Sequence, residues 1–227
     1  SYLFKISKDF SDSNLIKLVS YTNNRIKALN KLIREYLGYK EEFVVGEVLT
    51  GYDTTNYLGL KIENSRDYII TSVNKTKYLE LNAWELGLKS DDSTFKVIVL
   101  SKDNSEKNIN NLAYRLEWLR LSTVNADKNN VYKKRVNALW RKYYDLSESF
   151  LTTFDIRYDN RIIKRKSLDY GYCISTHKSQ SSQYSIVMID MENIWRCTNK
   201  EELRQLQYVA CSRTTSDLII YQKDDNT

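Results

Sequence analysis

The spacing of apolar residues changes three times along this chain, and one pattern, strand then polar turn then helix, occupies both ends. Leu15-Ile16-Lys17-Leu18-Val19-Ser20-Tyr21 is short, apolar and β-branched in character, as an inner strand requires. Thr22-Asn23 supplies a polar stop that can cap a helix starting there. Ile26, Leu29, Ile33 and Leu37 then recur at helical spacing, and Gly38 stands where a left-handed cap ends a helix. At the other end the chain reads as strand 170–175, polar turn 176–183, strand 186–189, helix 201–212 and strand 218–221. Such units build an α/β layer, so the first and last thirds are expected to share one sheet.

Between them the period shortens and then lengthens again. Phe43–Val45, Glu47–Leu49, Leu58–Ile62, Tyr68–Val73, Tyr78–Leu81 and Phe95–Leu100 read as short strands with polar turns. They fit a small β-barrel or an antiparallel meander. From Asn108 to Phe154 helical spacing returns, with Leu112, Leu116, Leu119, then Val131, Arg135, Leu139 and Tyr143, broken at 125–130.

Charge sharpens this division. The net charge is +6, but Ser105–Ser167 holds fourteen Lys and Arg against seven Asp and Glu. A positive field this concentrated favours a polyanion, nucleic acid being the usual one, or else is a solvated face without a partner. Three cysteines with no Cys-x-x-Cys pair argue against a disulfide framework and a zinc site. No run of eighteen apolar residues and no leader at Ser1–Lys8 point away from a membrane and toward a bacterial or phage-infected cytosol. Absent proline, scarce glycine and abundant Asn, Lys, Ile and Tyr match AT-rich coding. Ser1 fits either the edge of a larger polypeptide or removal of an initiator methionine.

Two segments near the carboxyl end concentrate polar chemistry. Tyr172-Cys173-Ile174-Ser175-Thr176-His177-Lys178-Ser179-Gln180-Ser181-Ser182-Gln183-Tyr184 ends a strand in hydroxyl, imidazole and amide groups beside turn N–H groups, a set suited to a sugar-phosphate strand. Leu206-Gln207-Tyr208-Val209-Ala210-Cys211-Ser212-Arg213 ends a helix in an arginine. Read alone, a single histidine is more often a hydrogen-bonded turn residue than a catalyst, and the arginine suits a helix cap as well as a phosphate contact. No second histidine exists for a metal site, and no Gly-x-Ser-x-Gly elbow for a hydrolase.

The first segment resembles the fifth signature motif of superfamily 1 helicases of the RecD and Dda type, roughly Tyr-Ala-x-Thr-x-His-Lys-Ser-Gln-Gly-Ser-x-Tyr/Phe. The second resembles their sixth motif, Leu-x-Tyr-Val-Ala-x-Ser/Thr-Arg. Tyr21-Thr22-Asn23 through Asn30 and Arg34 is similar to a further strand and helix of the family. Ser181 departs from the usual glycine, and Gln183 stands where an acidic residue is common.

The resemblance implies the second RecA-like parallel-sheet domain of a helicase, from 1–40 and 155–227, with an inserted barrel at 41–104 and a basic helical insertion at 105–154. By the same resemblance Thr176, His177, Ser179 and Gln180, with Thr22 and Asn23, contact single-stranded DNA. Gln183 lies near the nucleotide, and Arg213 is the arginine finger for ATP. ATP and Mg2+ are expected on an upstream RecA-like domain of the same polypeptide, because none of the six glycines here is followed by the lysine of a phosphate loop. Likeness to this group also implies movement from five-prime to three-prime. The strand-gripping turn and Arg213 are expected on one rim. Ile186–Glu192 imitates a magnesium-binding strand but is set aside for want of that loop. Tyr57, Trp84 and Trp118 are unranked candidates for stacking on bases. The rival reading is a non-catalytic nucleic-acid-binding or virion-associated protein that keeps the architecture without the motor.

Overall fold

The computed structural model describes residues 15–91, 93–129, 132–180 and 182–222. Its first half forms β1 (Ile16–Ser20), α1 (Asn23–Tyr36), β2 (Val48–Gly51), β3 (Thr55–Tyr57), β4 (Leu60–Ile62), β5 (Asp67–Tyr78), β6 (Leu81–Ser90) and β7 (Ser93–Leu100). Then come α2 (Glu106–Lys128), α3 (Lys133–Ser147), β8 (Ile156–Tyr158), β9 (Arg161–Lys164), β10 (Leu168–Tyr170) and β11 (Cys173–Ser175). The chain closes with α4 (Thr176–Ser179), β12 (Tyr184–Asp190), α5 (Met191–Ile194), α6 (Lys200–Cys211) and β13 (Thr214–Tyr221). Two units result: one holds the residues up to Thr50 and from Tyr170 onward, the other Gly51–Asp169.

The first unit is α/β, with a sheet in the order β11-β1-β12-β13 and every neighbouring pair parallel. All five residues of β1 are buried, as a strand covered on both faces requires. Ile26, Leu29 and Ile33 of α1 pack with Ile16, Leu18 and Met188 in one core. Leu206 and Ala210 of α6 pack with Val19, Val187 and Ile189 in the other. Helix α1 ends as its glycine predicts. Gly38 takes φ +76°, its N–H donates to Glu35 O at 3.1 Å, and the Tyr39 N–H reaches Arg34 O at 2.9 Å.

This unit reaches Thr50, beyond the expected boundary at 40, because residue 47 is locked into it. The fully buried Glu47 carboxylate accepts from Arg34 Nε at 2.5 Å and from the Tyr172 hydroxyl at 3.3 Å. Burial pushes the Glu47 carboxyl up, and the Arg34 guanidinium pulls it part of the way back.

In the second unit β5, β6 and β7 form an antiparallel meander. Backbone bonds carry it further. Gly51 N donates to Arg66 O and Tyr52 N to Ser167 O, both at 2.8 Å. Leu151 N donates to Ile98 O at 2.8 Å, and Ser167 N and Leu168 N both donate to Thr152 O. The strands are thereby linked in a ring through residues 151–152 and 167–168, which lie outside the expected 41–104 segment. At Gly51 the walls are so close that a Cβ would sit 1.9 Å from Glu63 O. Helix α2 packs Leu112, Ala113 and Leu116 against Leu81, Leu100, Phe150 and Ile156, so strands and helices share one core.

Four stretches differ from their sequence reading. Leu58-Gly59 (φ 46° and 88°) and Leu79-Glu80 (φ 49° and 67°) are turns, not strand interiors. Residues 161–166, part of the basic 105–167 segment and not read as a strand, hold strand β9, paired with β8 across the positive-φ turn Asp159-Asn160. The expected helix break at 125–130 begins later, since α2 continues to Lys128. Val131 lies outside the described residues.

Lys164 is half-buried with its ammonium turned inward, donating to Ser147 O at 2.5 Å and lying 5.0 Å from the centre of the Phe150 ring. Burial pushes it from 10.5 down to about 8. Between those values the unfolded chain holds a proton that the folded chain has released, so stability rises with pH through this window, by up to about 3 kcal/mol. Urea unfolding of the parent and of Lys164→Met at pH 7.5 and pH 10 should show the rise only in the parent. Parallel behaviour of the two proteins would refute the assignment.

Candidate functional site

Register gives the first unit a level polar edge. Ser20 lies opposite Ser175, and Val19 lies opposite Ile189, so β11, β1 and β12 finish together. From that edge the chain enters α1 through Thr22, α4 through Ser175 and α5 through Asp190. Buried Asn193 ties the ends together. Its Oδ1 accepts from Ser20 Oγ at 3.0 Å, Tyr21 N at 3.1 Å, Thr22 N at 2.7 Å and Thr22 Oγ1 at 3.1 Å. Beside it Asp190 Oδ2 accepts from Ser20 Oγ at 3.2 Å and pairs with Arg25 Nε at 2.6 Å. That hydrogen bond is the main reason the Arg25 pKa is raised further.

The six residues expected to meet a strand divide into two groups. Thr176 and Ser179 are fully buried, and their hydroxyls donate to Ser20 O at 3.2 Å and to Thr176 O at 2.7 Å. They hold the turn from inside and do not face outward, a correction to their expected contact role. His177 and Gln180 are exposed, as is Asn23, and Thr22 is half-buried through its bond to Asn193. His177 Nε2 lies 3.8 Å from Glu202 Oε1 at the start of α6, and its ring centre is 6.4 Å from that of Tyr21. Ser175 Oγ accepts from Lys178 N at 3.2 Å and caps the short turn of helix. Ser181 lies outside the described residues.

Gln183 and Arg213 belong to the other end of the sheet. Tyr184 opens β12 opposite Thr214, and Tyr184 N donates to Arg213 O at 2.9 Å. His177 follows the last residue of β11, whereas Arg213 precedes the first of β13. The expectation of one rim is therefore overturned: in a parallel sheet those positions are opposite edges, separated by about 20 Å of strand. Arg213 also shows the helix-capping geometry that the sequence left open. Nε donates to Val209 O at 3.1 Å, Nη1 to Ser182 O at 3.4 Å and Nη2 to Ser212 Oγ at 2.8 Å. These bonds use three of its five N–H groups.

A groove opens beside the carboxyl edge. Between residues 176–180 and α6 lies a cleft of about 460 Å³. Thr176, His177 and Gln180 line one side, and Glu202, Leu206 and Val209 the other. Tyr208, the middle of the second motif, is 74% exposed on this helix.

Sequence reasoning missed Asn193, and Asp190 had been noted only within a magnesium-like pattern. The structure gives Asp190 to Arg25 and Ser20, with Oδ1 buried and without a partner among the described residues. No three of His, Cys, Asp and Glu gather as a metal site among those residues. A polar Asn three residues beyond a buried strand end was the available signal.

Residues 170–221 match the family model of the UvrD-like helicase C-terminal domain. An uncharacterised protein of Acanthamoeba polyphaga mimivirus is 23% identical over 96% of this chain, which spans 50% of that relative's length. Among solved structures, the Pif1 helicase of Bacteroides, in complex with ADP-AlF3 and ssDNA, is 13% identical, with a TM-score of 0.46 over 96% of this chain and 44% of its own. The Pif1 helicase of Candida albicans is 12% identical, with a TM-score of 0.47 over 97% of this chain and 50% of its own. The resemblance to a superfamily 1 helicase carboxyl-terminal half thus stands over the segment that holds both motifs.

The Asn193 hub makes a local prediction. Asn193→Ala leaves up to three donors without an acceptor, since Ser20 Oγ keeps Asp190 Oδ2, and should cost about 2–3 kcal/mol. Amide hydrogen exchange should quicken at Tyr21 and Thr22 specifically, and Asn193→Asp, which keeps the oxygen, should protect them better. Unchanged exchange at those two amides would remove Asn193 as the organising group.

Proposed function

We propose that this chain, whose carboxyl-terminal segment is similar to the UvrD-like helicase C-terminal domain, is the carboxyl-terminal half of an ATP-dependent superfamily 1 DNA helicase. The family match over 170–221 carries the reading, because that one segment includes both His177 and Arg213. On this reading His177, Gln180, Thr22 and Asn23 grip the sugar-phosphate strand at the carboxyl edge, where exposed amide, imidazole and hydroxyl groups suit phosphate and sugar oxygens. Thr176 and Ser179 fix the turn that presents them.

Gln183 and Arg213 then face a nucleotide at the opposite edge. ATP and Mg2+ would be held by an upstream RecA-like domain of the same polypeptide, since the chain has no phosphate loop of its own. ATP supplies the free energy of each cycle. The task of Arg213 is to lay a permanently charged guanidinium against the γ-phosphate. Its present bonds to Val209 O, Ser182 O and Ser212 Oγ hold the guanidinium at the end of α6.

Separation of the two contacts supports a mechanical coupling. Residues 176–180 and 182–183 lie between them beside a twelve-residue helix about 18 Å long. A displacement imposed at Arg213 by cleft closure reaches His177 through packed elements of fixed length.

A second reading, a helicase-like nucleic-acid-binding or virion-associated protein without a motor, draws support from the capping bonds of Arg213. One measurement separates the two. In the whole polypeptide, Arg213→Ala should lower ATP hydrolysis by about a thousandfold or more while single-stranded DNA binding stays measurable. Hydrolysis at the parent rate, or no hydrolysis by the parent itself, would sink the finger role.

The 227-residue chain alone should bind single strands weakly and hydrolyse no ATP. Its affinity for an oligothymidylate should fall steadily as salt is raised from 50 to 200 mM, with a log–log slope of about −0.7 per phosphate contacted. A salt-independent affinity would contradict the electrostatic part of this reading.

A further inference from the structure

We propose that the second unit carries its own base-stacking site for single-stranded nucleic acid, a groove between α2 and α3 whose wall is Trp118. The inference deepens the strand-binding reading above and rests on it for the identity of the ligand. Of the three aromatic residues that the sequence offers for stacking, Tyr57 and Trp84 are sealed in the core at 5% and 7% exposure, whereas Trp118 is 55% exposed. Burial alone therefore ranks them.

The groove beside Trp118 measures about 470 Å³. Tyr78, Leu119 and Leu146 give it an apolar floor, while Arg115 and Lys142 stand at its border with Asp145 as the single opposing charge. Arg115, Trp118 and Leu119 share a face of α2 through their three- and four-residue spacing, and Lys142, Asp145 and Leu146 do the same on α3. Arg115 and Lys142 make no ion pair among the described residues, in contrast to Arg120, which is spent on Glu117 at 2.7 Å.

Arg115 also borders a second, more polar cleft of about 360 Å³, lined by Asn108, Asn111 and Glu80. The same guanidinium thus stands between an apolar cleft and a hydrogen-bonding one. A flat indole, an apolar floor and two cations at the border match a base on its face and phosphates at its sides. A partner helix would use the apolar floor but leave the two cations without a match, and the surplus of seven positive charges over 105–167 favours the polyanion.

The test uses the full chain and a fluorescein-labelled twenty-nucleotide oligothymidylate, followed by anisotropy. Trp118→Ala should weaken binding by about 5- to 100-fold, and Trp118→Phe should retain most of it, because stacking needs a ring and not the indole N–H. Arg115→Gln with Lys142→Gln should flatten the log–log salt slope by about 1.4. Circular dichroism of these surface variants should match the parent.

Parent-like affinity in Trp118→Ala, alongside weakened binding in His177→Ala, would overturn the second site and leave the first reading standing. Loss in Trp118→Ala with parent-like His177→Ala would support this groove and overturn the carboxyl-edge grip. Equal weakening by Trp118→Ala and Trp118→Phe, or an unchanged salt slope in the double variant, would also overturn the groove.

Discussion

The amide oxygen of Asn193 is the constraint on which the carboxyl edge depends. Four donors from three consecutive residues converge on one acceptor, so the exit of β1 has a single geometry. Because β1 lies between β11 and β12, fixing Ser20 also fixes its partners in register. Thr176 then closes the other side by donating to Ser20 O. The exposed groups, His177 and Asn23, owe their places to buried ones that touch nothing outside. Such an edge is pre-formed: a ligand arriving there does not have to order the backbone beneath it.

The separation of the two candidate contacts changes what the fold can do. Two groups on one rim would compete for the same ligand. Placed at opposite edges, they can meet two ligands at once and relate them through the element between. On the proposed reading α6 would fill that role, since Arg213 at its end donates to Ser182 O. Pulling on the guanidinium would therefore load both the helix and Ser182. Linkage of this kind is reciprocal, so on the proposed reading a strand held at His177 would bias the position of Arg213 to the same degree.

Much of this was legible in the sequence where local and tertiary demands agreed. Helix α1 announces itself through Ile26, Leu29 and Ile33, and Gly38 ends it with the positive φ that glycine takes without strain. The parallel sheet followed from two strand-turn-helix units. Legibility failed where residues without turn chemistry sit at turn tips: Leu58, Leu79 and Glu80 adopt left-handed backbone that their side chains do not advertise. It failed also for Thr176 and Ser179, since a motif lists residue types and not the direction each faces. Asn193 was invisible for another reason: its partners lie about 170 residues away in the chain.

The charge distribution assigns the 105–167 segment and the carboxyl edge different physics. Outside 105–167 the chain carries about one net negative charge, so attraction of a polyanion to the carboxyl edge cannot come from a general field. On the proposed reading contact there would rest on directed donors such as the His177 imidazole and the Gln180 amide, which act at short range. Within 105–167 several cations are already committed, Arg120 to Glu117, Arg157 to Asp155 and Lys166 to Asp169, and Lys164 points inward. The surplus therefore falls on the helices, on exposed residues that include Arg115, Arg141 and Lys142. A Debye length of about 8 Å at physiological salt lets such a cluster act beyond contact distance, though not across a whole domain. On the proposed reading the basic helices would attract a strand by field alone, and the polar edge would hold one by directed donors.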